Sequence, residues 1–264
     1  AVPSNLTPSL KNARTDLPKI YNDGCLLDPG RTKAGACTYG TPGGAVKVAL
    51  VGDSHAAQWF PAFEAAARQE GWQLLVLTKK GCSPATFTTY DEAGKPRKDC
   101  AAWKTDIARR LGEFGPDLIF ASSFRYRLTM RPLTKSSESQ WNTAVAAGIK
   151  ALKPFGKQLV WLSDTPHPTG VMINCLSAHL RSAQQCVLDR ADADRLPLVR
   201  AERSAAEANG ARFVHTDDWF CSRTKCVVML GNLMVFRDDN HITATMSNYF
   251  APFIAAVGRE TLKG

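Results

Sequence analysis

The sequence predicts an α/β fold, a three-layer α/β/α sandwich around a mainly parallel sheet. Two observations carry this. Short runs of strand length, mostly apolar, recur at Val48–Val51, Gln73–Leu77, Asp117–Ala121, Gln158–Leu162 and Arg212–His215. Uninterrupted apolar runs of this kind suit strands buried on both faces. Between them lie longer stretches with apolar residues at helical spacing, the alternation that builds parallel sheets. At 264 residues the chain can bury a full core as one domain.

Taken in order, residues 1–20 are polar and broken by Pro3, Pro8 and Pro18, which reads as an extended linker. Residues 21–44 are glycine-rich and hold Cys25 and Cys37; they read as an irregular covering extension, and 45–264 as the domain proper. The first strand ends at Gly52, Asp53 and Ser54. Ala56, Trp59, Phe60, Phe63, Ala66 and Ala67 then mark a helix up to Gly71. A second strand runs into the small-residue turn Lys79–Pro84. A helix over 101–114, a third strand, a polar stretch to Ser137, a helix over 138–152 and a fourth strand follow. Pro166 and Pro168 flank His167 beyond that strand, at a position suited to lining a cleft. Residues 191–209 read as a long helix interrupted at Pro197. Residues 227–236 read as a hairpin turning at Gly231-Asn232, and 244–262 as a final helix with Met246, Tyr249, Phe250, Phe253, Ile254 and Val257 on its apolar face.

Composition narrows the class. Hydrophobic content of 44% and charged content of 22% are ordinary for a globular protein. The net charge of +9 is scattered through the chain, and no nucleic-acid motif accompanies it. No apolar run reaches the roughly 18–20 residues of a membrane span. Ala1 follows no leader segment, which reads as a mature form or an excised fragment. The eight cysteines fall into four sequence-local couples: Cys25 with Cys37, Cys82 with Cys100, Cys175 with Cys186, and Cys221 with Cys226. An even count in polar or Gly/Pro-rich segments points to disulfides and an oxidising compartment. Zinc would require Cys-x-x-Cys or Cys/His clusters, and none occurs.

Two motifs carry chemistry. Gly52-Asp53-Ser54-His55 places a serine on a strand-to-helix turn, where unpaired backbone N–H groups can stabilise developing negative charge. The same residues also suit a plain helix cap. Near the other end, Asp238-Asp239-Asn240-His241-Ile242-Thr243 sets a carboxylate three residues ahead of a histidine. A serine hydroxyl needs a base to become a nucleophile, and a histidine oriented by a carboxylate is such a base.

Gly-Asp-Ser near the start with Asp-x-x-His near the end resembles the SGNH hydrolase family. The chain is more closely similar to the extracytoplasmic SGNH domain fused to membrane acyltransferases of the acyltransferase-3 family. That group commonly reads Gly-Asp-Ser-His and Asp-x-x-His-Leu-Thr, here with Ile242 for Leu, and the likeness runs from about Tyr21 to the C-terminus. The resemblance implies Ser54 as nucleophile, His241 as base and Asp238, in preference to Asp239, as its orienting carboxylate. It also implies the N–H groups of Ser54 and Gly81 as oxyanion donors. The wider family has Gly-x-Asn-Asp after the third strand, with the Asn as third donor; this chain has Ser122-Ser123-Phe124-Arg125. Ser122 and Ser123 are the nearest replacements. Arg125, His55 and His167 are candidate substrate contacts, set against a surface ion pair for Arg125 and structural roles for the histidines.

The expected function is extracytoplasmic transfer of an acetyl or short acyl group to a cell-envelope carbohydrate through an acyl-serine. The alternatives are a carbohydrate O-acetyl esterase and a non-catalytic glycan-binding module. No metal or cofactor is expected. The acyl donor would come from an N-terminal transmembrane acyltransferase domain in the full-length protein, and the domain would be tethered to the membrane.

Overall fold

The computed structural model describes residues 1–91, 93–125 and 135–264; most of the polar stretch read between Phe124 and Ser137 lies outside them. The extension contributes β1 (Leu26–Leu27) and β2 (Thr38–Gly40). Then come β3 (Val46–Gly52), α1 (Ser54–Ala57), α2 (Phe60–Glu70), β4 (Trp72–Lys79), α3 (Lys98–Phe114), β5 (Leu118–Ser122), α4 (Lys135–Leu152) and β6 (Gln158–Leu162). The C-terminal part holds α5 (Met172–Ala178), β7 (Leu188–Asp189), α6 (Arg190–Ala193), α7 (Leu196–Ala208), β8 (Arg212–Val214), β9 (Lys225–Cys226), β10 (Met229–Leu230), β11 (Leu233–Met234), α8 (Ala244–Tyr249) and α9 (Ala251–Lys263).

The main sheet runs β1–β4–β3–β5–β6–β8, all parallel, with β2 antiparallel along β4. Side chains alternate between its faces. Val48, Leu50, Leu74, Val76, Leu118 and Phe120 pack beneath α2, α8 and α9, while Ala49, Val51, Leu75, Leu77, Ile119 and Ala121 pack beneath α3, α4 and α7. Two buried faces explain the unbroken apolar runs. Because β4 lies on one side of β3 and β5 on the other, the chain reverses its winding at β3. A crevice opens at the C-terminal end of a strand in that position, and Ser54 stands there.

Prolines set the helix breaks. The helix expected from Ala56 to Gly71 is split, with Pro61 in the first turn of α2. The final helix is likewise split at Phe250, and Pro252 opens α9. A proline has no N–H for the carbonyl four residues back, so it starts a helix more easily than it continues one. The break in 191–209 falls at Asp194-Arg195, and Pro197 sits in the first turn of α7.

The N-terminal stretch is packed against the body where an extended linker was expected. Leu6, Ala13 and Ile20 are buried in the core. Thr7 exchanges backbone hydrogen bonds with Asn232 and Met234, and Asp16 accepts from the N–H groups of Ala244 and Thr245. The extension adds β1 and β2 to the edge of β4. All eight cysteines are paired, as Cys25–Cys37, Cys82–Cys100, Cys175–Cys186 and Cys221–Cys226. Among the described residues no helix is long and apolar enough to cross a membrane.

Candidate active site

The turn after β3 is built for close approach. A Cβ on Gly52 would lie 2.1 Å from the Ser122 carbonyl oxygen and 2.6 Å from the Ala56 Cβ, so no side chain fits there. Asp53 caps α1 by accepting the His55 N–H at 2.9 Å. Its other oxygen accepts from the Phe124 N–H and the Ser123 hydroxyl, which ties the β3 turn to the end of β5. Ser54 opens α1, half-buried, on the wall of a cavity of about 360 Å³ that His55, Gly81, Phe124, Asn240 and His241 also line.

His241 reaches this cavity from a tight turn closed by a bridge between Phe236 and Ile242. Asp238 Oδ1 accepts the N–H groups of Asn240 and His241, and its Oδ2 lies 2.9 Å from His241 Nδ1. Asp239 is exposed and bonds to Asn240, so Asp238 is the carboxylate that orients the ring. With Nδ1–H on Asp238, the lone pair resides on Nε2. That atom is buried and has no hydrogen-bond partner among the described residues. Ser54 and His241 thus share one cavity without a hydrogen bond joining Oγ to Nε2.

Burial, opposed by the Asp238 hydrogen bond and assisted by the charge of His55, pulls His241 down to about 4. The ring is therefore neutral at physiological pH, the state a general base requires. Burial works to raise Asp238, but the hydrogen bond from His241, the charge of Arg237 and the backbone hydrogen bond from Asn240 hold it well below the usual carboxylate range. Arg237 lies 3.1 Å from Asp238 Oδ2, donates to the Tyr21 hydroxyl at 2.6 Å and covers the Tyr21 ring. Gly81, at φ +66°, sits in the turn after β4.

The matching family model is the SGNH domain fused to AT3 domains, over residues 23–256. The chain belongs to this family. No curated protein matches it in sequence. Among solved structures, the SGNH domain is similar to the periplasmic domain of a lipopolysaccharide acetyltransferase from Salmonella ser. Paratyphi A. The TM-score is 0.69 and the identity 12%, over 96% of this chain and 97% of that one. A carbohydrate esterase family 2 enzyme from Corynascus thermopiles (Myceliophthora fergusii) gives 0.52 at 14%, over 83% and 67%. The native M. smegmatis aryl esterase gives 0.51 at 13%, over 82% and 100%. At these identities the likeness is one of fold.

Four of the expected site residues of the SGNH domain, Ser122, Ser123, Arg125 and His167, are not on the lining of the Ser54 cavity. Ser122 is fully buried, and its hydroxyl has no partner among the described residues. Ser123 is spent on Ser83 and Asp53. Ser122 ends β5 and Ser123 follows it, and neither is on the lining of the Ser54 cavity. Arg125 is only 2% exposed. Its guanidinium meets Asp217 at 3.1 Å, Glu202 at 3.4 Å and the Asp194 carbonyl at 2.9 Å; it is neither a surface ion pair nor a substrate contact. His167 lies beyond Phe124, ring to ring at 5.8 Å, and lines separate cavities, one of them with Arg195 and Asp239. Burial pulls it down to about 4.

His55 does line the cavity, in a setting that sequence did not reveal. Its Nδ1 is 2.6 Å from Asp164 Oδ1 and its Nε2 is 3.3 Å from Asn240 Oδ1. Asp164, Asn240, Tyr21 and Arg237 were all missed. Asp164 stands two residues before Pro166, in the segment read as cleft-lining, and that position was the available signal. Asp194, His215 and Asp217 have donor atoms within metal-ligand reach of one another, but the Arg125 and Arg190 guanidinium groups already neutralise them.

Proposed function

We propose that this domain is an extracytoplasmic serine O-acyltransferase that moves an acetyl or short acyl group onto a cell-envelope carbohydrate. The observation that carries the reading is the His241 ring, which lines the cavity that holds Ser54, is oriented by Asp238 through Nδ1, and has no partner for Nε2 among the described residues. Nε2 takes the Ser54 proton as Oγ attacks the acyl carbonyl. The N–H groups of Ser54 and Gly81 stabilise the oxyanion, each such donor being worth about 10²–10³ in rate. As the intermediate collapses, His241 returns that proton to the leaving donor, which departs and leaves acyl-Ser54 beside a neutral ring. A sugar hydroxyl then gives its proton to His241, attacks the acyl carbon, and Ser54 leaves with that proton.

Four disulfides support an oxidising compartment, and membership of a family fused to AT3 domains supports a transmembrane partner that delivers the acyl group. The similarity in fold to the periplasmic domain of the Salmonella lipopolysaccharide acetyltransferase supports a glycan acceptor. The test is a panel of bacterial surface glycans with a chromogenic acetyl ester as donor. Acylated sugar, dependent on Ser54, is expected. Free acetate at an undiminished rate with every acceptor, together with Ser54-dependent stripping of an acetylated glycan, would make the domain an esterase.

A further inference from the structure

His55 sits at the floor of the cavity, 1% exposed, between the Phe124 ring at 4.2 Å and the His241 ring at 4.6 Å. Its two nitrogens define its charge. Asp164 Oδ1 faces Nδ1, and a carboxylate oxygen accepts. Asp164 also accepts the N–H groups of Thr165 and Arg125, the pattern of an ionised carboxylate. On the other side, Asn240 Nδ2 donates to Asp239 Oδ1 at 2.8 Å, which fixes the amide so that its oxygen faces His55 Nε2. Both ring nitrogens therefore meet acceptors, and a ring that donates from both is an imidazolium.

We propose that His55 is a positioning residue: a buried, permanently charged imidazolium, locked between Asp164 and Asn240, that keeps His241 neutral and holds its loop against Ser54. The proposal rests on the Ser54–His241 reading above and assigns a function to the residue that follows the serine. A like charge beside a base disfavours the base's protonated form. The charged groups acting most strongly on the two rings are Asp53 on the β3 turn, Asp164 after β6, and Asp238 with Arg237 on the His241 loop; Lys80 and Arg97 line the same cavity, and His167 lies beyond Phe124. Burial works to lower His55, but the charge and hydrogen bond of Asp164, followed by the charges of Asp53 and Asp238, raise it above its ordinary value. His241 faces one carboxylate, already shared with Arg237, so the His55 charge is not cancelled there.

The direct test is a side-chain NMR titration of the five histidines, assigned by single substitutions, which reads protonation without turnover. His55 is expected to stay charged from about pH 5 to 8, the range in which an ordinary histidine changes state, while His241 stays neutral. In His55→Gln, the His241 titration is expected to move up by at least about one pH unit, and the acid limb of kcat/KM for p-nitrophenyl acetate should move with it. Asp164→Asn keeps the ring but removes its charge, and should move His241 in the same direction. A neutral His55 in the wild type would overturn the proposal. So would an unmoved His241 in either variant, since a merely structural residue would lower activity at every pH alike. If the ester is not turned over at all, the acyl-transfer reading fails while the titration still decides the charge of His55.

Discussion

Gln58 Oε1 accepts the backbone N–H of Ile242 at 2.9 Å, a bond between a fully buried side chain four residues after Ser54 and the residue that follows His241. The turn that begins at Ser54 thus grips the loop that carries His241. The register between Ser54 and His241 is set by this contact from the strand-to-helix side, with Asp238 acting from within the loop.

Gln58→Leu removes the acceptor and leaves the Ile242 N–H buried and unsatisfied, at a cost of about 1–3 kcal/mol. The melting temperature should fall by several degrees, and kcat should fall more than KM rises because the loop loses its register. A variant with unchanged kcat would show that the loop holds its own position.

The two carboxylates of the His241 loop should separate clearly. Asp238→Asn leaves the ring without its acceptor at Nδ1 and should lower kcat by about 10²–10⁴, as for the orienting carboxylate of other serine triads. Asp239→Asn touches no bond to His241 and should stay within a few-fold. The reverse order, read in steady-state hydrolysis of an activated ester, would move the orienting role to Asp239.

Much of this arrangement was legible in the sequence, and the limits have physical causes. The strands announced themselves because both faces of the sheet are buried, so Val48–Val51 and Leu159–Leu162 are apolar without alternation. The meeting of Ser54 and His241 in one cavity, with Asp238 on the His241 ring, was anticipated because each short motif is one local turn. Arg125 was misread because its partners, Asp194, Glu202 and Asp217, are brought to it from far along the chain, and nothing local distinguishes a buried arginine from an exposed one. Residues 1–20 were misread for a similar reason. Leu6, Ala13 and Ile20 follow no period, since they fill gaps between elements already formed.

The interior cluster around Arg125 gives stability a pH dependence on the alkaline side. His215 lies 2.9 Å from Asp194 and 3.1 Å from Asp217. Burial works against its charge, but these hydrogen bonds and charges raise it from 6.5 to about 9. A folded-state value above the unfolded one means that this stabilisation is complete below about pH 6.5 and is lost as pH rises through about 9. Melting temperatures measured from pH 6 to 10 should show that decline (about 6 and 10 bracket both values). His215→Asn should be less stable near neutrality and should lose the decline. A wild-type profile that stays flat would contradict the charged assignment.

Disulfide Cys82–Cys100 anchors the turn of Gly81, one residue away. Loops of this size are worth about 3 kcal/mol each when closed. Double replacement of Cys82 and Cys100 by alanine should lower stability and also kcat, through a loosened oxyanion donor. Replacing Cys221 and Cys226 should lower stability with little change in kcat. Equal kinetic effects from the two pairs would remove the link between Gly81 and the reaction.

Acyl transfer through Ser54, with His241 as its base, is read out by rapid-quench mass spectrometry with a chromogenic acetyl ester. The wild type should show a burst of acetylation that peptide mapping assigns to Ser54. Ser54→Ala and His241→Ala should abolish the burst, and the double variant should be barely worse than either single one. Acetylation at another residue, or ester turnover undiminished in Ser54→Ala, would contradict it.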